Sequence, residues 1–475
     1  MRVSEIFHLP QRQSELDFVD VDVSTDVPVF VDPRAIRIQS GRLHDRCVAL
    51  LQSFFAEVLI GLKDGKRAEV VKLLGRLDEP NEVHLGLSRG RSRGRGLGGV
   101  GAVSVVDALA ASRAAQTGLL SDLEDSALLV EGIGRDIVSD ITTNVVRSVL
   151  IDYTQEQCEY HRIPTEEVYA GWIWDADELR WKQVESFLPC IGDELLLLVP
   201  KSIVRLDLIF NPQKYYSKAI APFHEEKEIK AGSNLVYALK STGEKRVHKM
   251  DLIEKYGNTK AAVVKHTNEF PAALKIYKET PGMATSPPLD HNTLASKTHS
   301  MRPDFGSLLG RVRAISPGGH GASMYHRAVG ELLAAVTYPF LGNMVVEDEI
   351  NEGRKRIDLT YDNLADEGFF RFISRHYMAS QMVVECKNYS KDPSNPELDQ
   401  LLGRFSIHRT KFGIIACRKI ADKQLFAQRC KDAALAGVGF VFYMDDDDLE
   451  RLINDYDSSD GKFPFFREQF DYLVK

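Results

Sequence analysis

Gln381-Met382-Val383-Val384-Glu385-Cys386-Lys387-Asn388 is the stretch on which the fold turns. It opens as an uninterrupted apolar run, the composition of a strand buried on both faces. It then changes character, because the period of two along a strand puts Glu385 and Lys387 on one face and Cys386 on the other. A carboxylate and an ammonium at the end of a buried strand are costly unless they are paired, bound to metal or turned toward a cleft. Taken alone, the octapeptide has two readings: an ion pair where a strand surfaces, or part of a polar site.

Its neighbours form an alternating pattern. Apolar residues at helical spacing over 323–337 predict a helix, followed by a hairpin of strands 343–350 and 356–361. The intervening Asn351-Glu352-Gly353-Arg354-Lys355 suits a turn. After the quoted strand come a helix, a strand, a helix, a strand and a terminal helix. The last third is therefore α/β, with a central mixed sheet flanked by helices. Asp358 lies in the second hairpin strand, Gln400 on the helix after the quoted strand, and Glu331 on the first helix.

In that order, the helix glutamate Glu331, the hairpin aspartate in Arg356-Ile357-Asp358, the Glu385-Cys386-Lys387 strand and the helix glutamine Gln400 resemble the PD-(D/E)XK nuclease superfamily. The resemblance is to its Mrr-like restriction endonucleases and archaeal-type Holliday-junction resolvases. It covers roughly Ser307 to the C-terminus, and Glu385-Cys386-Lys387-Asn388-Tyr389 is its most specific part. Ile357 stands where the family pattern has proline. The resemblance implies a restriction-endonuclease-like fold with Asp358 and Glu385 as metal carboxylates and Lys387 as the catalytic lysine. Gln400 and Glu331 are further site residues, and the carbonyl of Cys386 is an additional metal ligand.

The chemistry agrees with these residue types. Phosphodiester hydrolysis needs positive charge focused on a nonbridging oxygen and on the attacking water. Mg2+, or Mn2+ in its place, takes oxygen ligands and binds through one or two carboxylates plus substrate phosphate. Lys387 can orient or deprotonate the water or stabilise developing charge, and the residue order does not choose among these roles.

The rest of the chain reads as a mostly α region over 1–165, a β-rich module and lysine-rich helical segment over 166–279, and a linker over 280–320 rich in Pro, Gly and small polar residues. The domain reading places the nuclease domain at 321–475. Alternation over Phe18 to Asp32 predicts two short strands with Asp20, Asp22 and Asp26 on a solvated face rather than in a calcium loop. Helices follow around Cys47 to Leu59 and Val70 to Leu74, and Cys158 to His161 reads as helix-end packing. Trp172-Ile173-Trp174, the turn at Asp175-Ala176-Asp177, and Leu179 to Trp181 predict a hairpin. Two short helices around Val247 to Tyr256 and Lys260 to His266 are compatible with a helix-turn-helix or with any helical hairpin. Asp445 to Asp448 open a helix, where its dipole favours carboxylates.

Ser88 to Gly101 is rich in glycine but lacks the lysine of a nucleotide-binding loop. Its Arg89, Arg91, Arg93 and Arg95 are candidates for contact with a nucleic-acid backbone or another acidic partner. The net charge of -8 excludes bulk coating of nucleic acid, so DNA contact requires local basic surface. Six scattered cysteines without a CxxC pair fit a reducing cytoplasm, and no apolar run approaches the ~20 residues that span a bilayer. The expectation is a cytoplasmic, Mg2+-dependent DNA endonuclease of restriction or antiphage defence. Its N-terminal region would target or regulate it, with a regulatory protein or a second copy as further partner. A repair or recombination nuclease and a non-cutting DNA-binding scaffold are the alternatives.

Overall fold

The computed structural model describes the chain apart from residues 87–99, 117, 208–210, 281–282, 284–285, 351–354, 390, 408 and 460–461. Arg89, Arg91, Arg93 and Arg95 thus lie outside the described residues, as does most of the hairpin turn that follows Ile350.

In the N-terminal half the main scaffold is helical. His44, Cys47, Leu51, Phe54, Phe55 and Val58 recur three and four apart and form the buried stripe of α1 (Arg42–Lys63). Helix α2 (Arg147–His161) ends with His161 edge-on to Phe18 at 5.8 Å, so the Cys158 to His161 segment packs as expected. The predicted hairpin forms as β1 (Glu166–Asp175) and β2 (Arg180–Leu188), pairing Trp174 with Trp181. The Asp175 carboxylate closes its turn by accepting from the N–H groups of Asp177 and Glu178 at 3.0 and 2.8 Å. Trp174 seats the hairpin on α1, 5.1 Å from the Phe54 ring, and donates to Ser53 Oγ at 2.9 Å.

Two local expectations change. Between Phe18 and Asp32 only Phe30–Val31 is a strand, paired with Val204–Arg205; Phe18, Asp22 and Val27 each make a single bridge to a different partner. The alternation therefore reflects packing from several sides rather than one solvated sheet face. Asp20 is buried, accepting from Ser4 N–H at 2.8 Å and Ser4 Oγ–H at 2.6 Å, which supplies the hydrogen bonds a sequestered carboxylate needs. The lysine-rich segment includes a small hairpin, Val236–Ala238 with Lys245–Val247, besides its helices. The helix Lys260–Glu269 buries Val263, Val264 and Thr267, and Lys260 donates to the carbonyls of Val130 and Ile133. These contacts dock the helix on the N-terminal core.

Two hydrophobic cores organise the chain: one from Val3 to Leu294 that also takes in Tyr338, the other from Leu308 to Leu473. The change from one to the other falls inside the 280–320 segment, which contains the helices His291–Thr298 and α3 (Phe305–Ala314). Asp304 caps α3 by accepting from Ser307 N–H at 3.0 Å, so this helix forms inside the expected linker, ahead of the boundary at 321.

The second core contains the expected mixed sheet. Helix α4 (Ala322–Thr337) leads into β3 (Leu341–Ile350) and β4 (Lys355–Asn363), followed by α5 (Gly368–His376) and β5 (Gln381–Lys387). Then come α6 (Asn395–Leu402), β6 (Phe412–Cys417), α7 (Lys423–Leu435), β7 (Phe440–Met444), α8 (Asp446–Ser459) and α9 (Pro464–Val474). The strand order is β7-β6-β5-β4-β3. The β3–β4 and β4–β5 pairs are antiparallel, and the β5–β6 and β6–β7 pairs are parallel. Every residue of β6 is buried, as a central strand covered on both faces requires. Asp445 accepts from the N–H groups of Asp447 and Asp448 at 3.2 and 3.1 Å, the helix-opening role expected of the aspartate run. No helix among the described residues is long and apolar enough to cross a membrane.

Candidate active site

The β4–β5 ladder pairs Leu359 with Val384 and stops there toward the Asp358 side. At the next step the backbone N–H of Cys386 donates instead to Asp358 Oδ2 at 2.8 Å. A side-chain carboxylate thus takes the place of a ladder acceptor, and the two strands fork at the point where Asp358 and Glu385 stand.

Glu385 is 1% exposed. Its Oε1 accepts from Lys387 Nζ at 2.7 Å and from the Gln400 amide, while Lys387 also donates to Gln400 Oε1 at 3.1 Å. Strand period brings Lys387 back to the face of Glu385, and α6 carries Gln400 over both. Residues 385, 387 and 400 therefore close a polar ring. The other oxygen, Glu385 Oε2, is buried and, among the described residues, meets no hydrogen-bond donor. Burial pushes the Glu385 carboxyl above its ordinary range and the charge of Asp358 adds to this, with Lys387 opposing. Cys386 points to the opposite, buried face, where burial drives its thiol far above the usual range. Its backbone, rather than its sulfur, borders the fork.

Glu331 goes elsewhere. Its carboxylate lies 3.2 Å from Arg311 Nη1 and accepts from Gln11 Nε2 at 2.8 Å and the Tyr160 hydroxyl at 3.4 Å. Among the described residues no hydrogen bond or ion pair joins it to Asp358, Glu385, Lys387 or Gln400. The residue that α4 does bring to the fork is His326, whose Nε2 is 3.8 Å from Asp358 Oδ2. Arg404, just beyond α6, is a second cation beside Glu385 and lowers its pKa; its Nε is buried and has no acceptor among the described residues. Neither has a motif of its own in the sequence.

The approach of α4 depends on close contacts at its start. The Asn388 side chain donates to the carbonyls of Ser316 and Gly318 at 3.0 and 2.9 Å, and Gly318 N–H donates to the Asn388 carbonyl at 2.6 Å. A Cβ on Gly321 would meet Ser316 O at 2.8 Å and Asn388 Nδ2 at 2.9 Å, so glycine is required there. Farther along, Gly330 lets α4 lie against Leu359 and Met344 of the hairpin.

The donor set suits a hard divalent cation: two carboxylates at a fork, one with a buried oxygen that meets no donor among the described residues. Among the described residues no group of three or more His, Cys, Asp or Glu side chains could hold a metal ion. A cation held by Asp358 and Glu385 would complete its shell with water and substrate oxygens, the habit of Mg2+.

A family model described as a domain of unknown function (DUF8370) matches residues 8–211. The match covers α1, α2 and the β1–β2 hairpin and ends before the sheet that carries Asp358 and Glu385. No curated protein and no solved structure matches the chain.

Proposed function

We propose that the C-terminal sheet is a restriction-endonuclease-like domain that hydrolyses DNA phosphodiester bonds with Mg2+, or Mn2+ in its place. The N-terminal region would form separate domains that target or restrain it. The carrying observation is the fork at which Asp358 and the buried Glu385 meet, with Lys387 and Gln400 on Glu385 Oε1 and, among the described residues, no donor on Oε2.

Asp358 and Glu385 would hold the cation, with the Cys386 carbonyl as a further candidate ligand. When bound, the cation supplies positive charge to a phosphate oxygen and lowers the pKa of water. Lys387, fixed between Glu385 and Gln400, presents its ammonium beside this position, where it orients the attacking water and stabilises developing charge. Gln400 holds Lys387 and Glu385 in register. His326 stands within reach of Asp358 to orient its carboxylate, and Arg404 adds positive charge to a protein whose net charge is -8. The proposed setting is cytoplasmic restriction or antiphage defence, by analogy with restriction-type domains joined to large N-terminal regions; a repair nuclease is the alternative of the same class.

The test incubates the full-length protein with plasmid, linear, single-stranded and methylated DNA, with Mg2+ and with chelator. Metal-dependent cleavage that disappears in Lys387→Ala supports the reading. DNA binding without cleavage under every condition would favour the scaffold alternative, against which the arrangement around Glu385 argues.

A further inference from the structure

A second polar cavity, of about 380 Å3, lies between the two hydrophobic cores. One wall is the helix Pro33–Ile38 with Lys278 to Thr280; the other is the end of β4 at Asn363, the loop through Glu367, and α5. It collects arginines from both sides. Arg371 and Arg375, one turn apart on α5, face it together, opposite Arg34. Arg205 also borders it, 1% exposed, with its guanidinium held by the carbonyls of Ser202, Val204 and Ser286.

The charged lining is cationic on balance, with Glu279, Asp366 and Glu367 as its acids and Asp366 opposing Arg371 and Arg205. Among the described residues neither Arg371 nor Arg375 makes an ion pair, although Asp366 and Glu367 line the same cavity. Lys278, by contrast, is committed to Asp122 and Asp125 at 2.8 and 2.6 Å. Among the described residues Arg34 Nε and Arg371 Nε, from opposite walls, meet no acceptor, but both are closed off from solvent, so an occupant of the cavity would meet the other guanidinium nitrogens. Arg34 uses its Nη2 on the Lys278 carbonyl, which sets its position. Holding arginines close together is unfavourable unless an anion sits between them, and Arg375 acts against the charge of Arg371.

The geometry points to a binding site for a nucleoside phosphate in this cavity. The guanidiniums of Arg34 and Arg371 match phosphate oxygens, which they can contact with paired N–H groups. Asp366 and Glu367 offer acceptors to sugar hydroxyls, and Ile38, Pro288, Leu364 and Ala365 offer apolar surface to a ring. The volume is in the range of small-molecule pockets, roughly 300–1,000 Å3, which favour junctions between packed units. Because its walls come from both cores, an occupant would tie one to the other. The site does not depend on the reading of Asp358 and Glu385, and chelator removes any contribution from metal there.

The test is calorimetric titration of full-length protein in chelator with mono- and triphosphates of the common nucleosides, the uncharged nucleosides, inorganic phosphate and a short single-stranded oligonucleotide. The expected result is that at least one nucleoside phosphate binds more tightly than both its nucleoside and inorganic phosphate. Arg371→Gln and Arg375→Gln should each weaken it by about tenfold or more, the weight of a charge-assisted hydrogen bond. Arg375 is exposed, so its variant keeps the fold even if Arg371→Gln does not. Three outcomes overturn the proposal: no nucleoside phosphate binds better than its nucleoside; inorganic phosphate binds as well; or affinity survives Arg375→Gln unchanged. Tighter binding of the oligonucleotide through the same arginines would assign the cavity to a strand instead.

Discussion

At the scale of single residues, the two oxygens of Glu385 have different surroundings, and that difference yields the first prediction. Asp358→Ala, Glu385→Ala and Lys387→Ala are each expected to abolish Mg2+-dependent cleavage while the protein stays folded. If Lys387 assists proton transfer, its loss alone costs about 10²–10⁴ in rate. Single-turnover cleavage of supercoiled plasmid checks this, and a folded Lys387→Ala protein cutting at the wild-type rate refutes the role. A second prediction concerns Glu124, whose carboxyl is pushed by burial to about 7, with Arg37 opposing and Asp125 and Asp122 adding to the rise. Between the ordinary 4.5 and about 7 the folded state keeps a proton that the unfolded state releases. Stability therefore falls as pH rises through that window. Glu124→Gln should flatten this slope in urea unfolding at pH 5 and pH 8; an unchanged slope would mean that Glu124 is charged in the fold.

At the scale of elements, the start of α4 sets where His326 stands. The contacts a Cβ would make at Gly321 involve a backbone carbonyl and an amide already engaged with its own partners, so neither can retreat freely. Gly321→Ala is expected to cost about 1–3 kcal/mol of stability, as overpacking does. It should also slow cleavage by displacing His326 from Asp358. Urea midpoints and cleavage rates measured together decide it: an unperturbed midpoint would show that the turn accommodates the methyl group. The arginine segment allows another prediction. Replacing Arg89, Arg91, Arg93 and Arg95 by Ala should lower the log-log salt slope of duplex binding by about 0.9 for each phosphate no longer neutralised, without altering the cleavage step. An unchanged slope assigns the segment to a different partner.

At the scale of the whole molecule, the sheet is bound to the N-terminal half by buried polar groups. Asn343, at a shift in the β3–β4 register and with φ of 52°, donates its N–H to Asp17 at 3.0 Å. It also accepts from Ser202 at 2.9 Å and donates its amide to Asp362 at 3.0 Å. Glu331 and Glu15 share Arg311, and Arg327 donates to the Tyr160 carbonyl at 3.1 Å. Glu331→Gln is accordingly expected to weaken the junction and leave the cleavage step within about threefold, a difference far below the 10²–10⁴ expected of a group in proton transfer. A loss on that catalytic scale with unchanged stability would return Glu331 to the site. If the N-terminal region restrains or selects, a fragment starting at Met301, which keeps the α3 cap, should cut with altered rate, substrate choice and toxicity. Identical behaviour of fragment and full chain would remove that role.

The amino-acid sequence by itself determined the alternation of elements in the last third, the shared face of Glu385 and Lys387, and the helix carrying Gln400. These follow from the strand period of two and the helical spacing of apolar residues, which act over a few positions. The hairpin at Trp174 and Trp181 was legible for the same reason, its turn being closed by Asp175 alone. The tertiary structure decided what depends on how elements approach one another. It placed the fork where Asp358 takes the Cys386 N–H, put His326 rather than Glu331 beside it, and buried Asp20. It also folded helices into the 280–320 segment and gathered Arg34, Arg371 and Arg375 around one cavity. A buried charge is held by partners far away in the chain, and no local pattern announces them: Glu331 meets Gln11 across 320 positions.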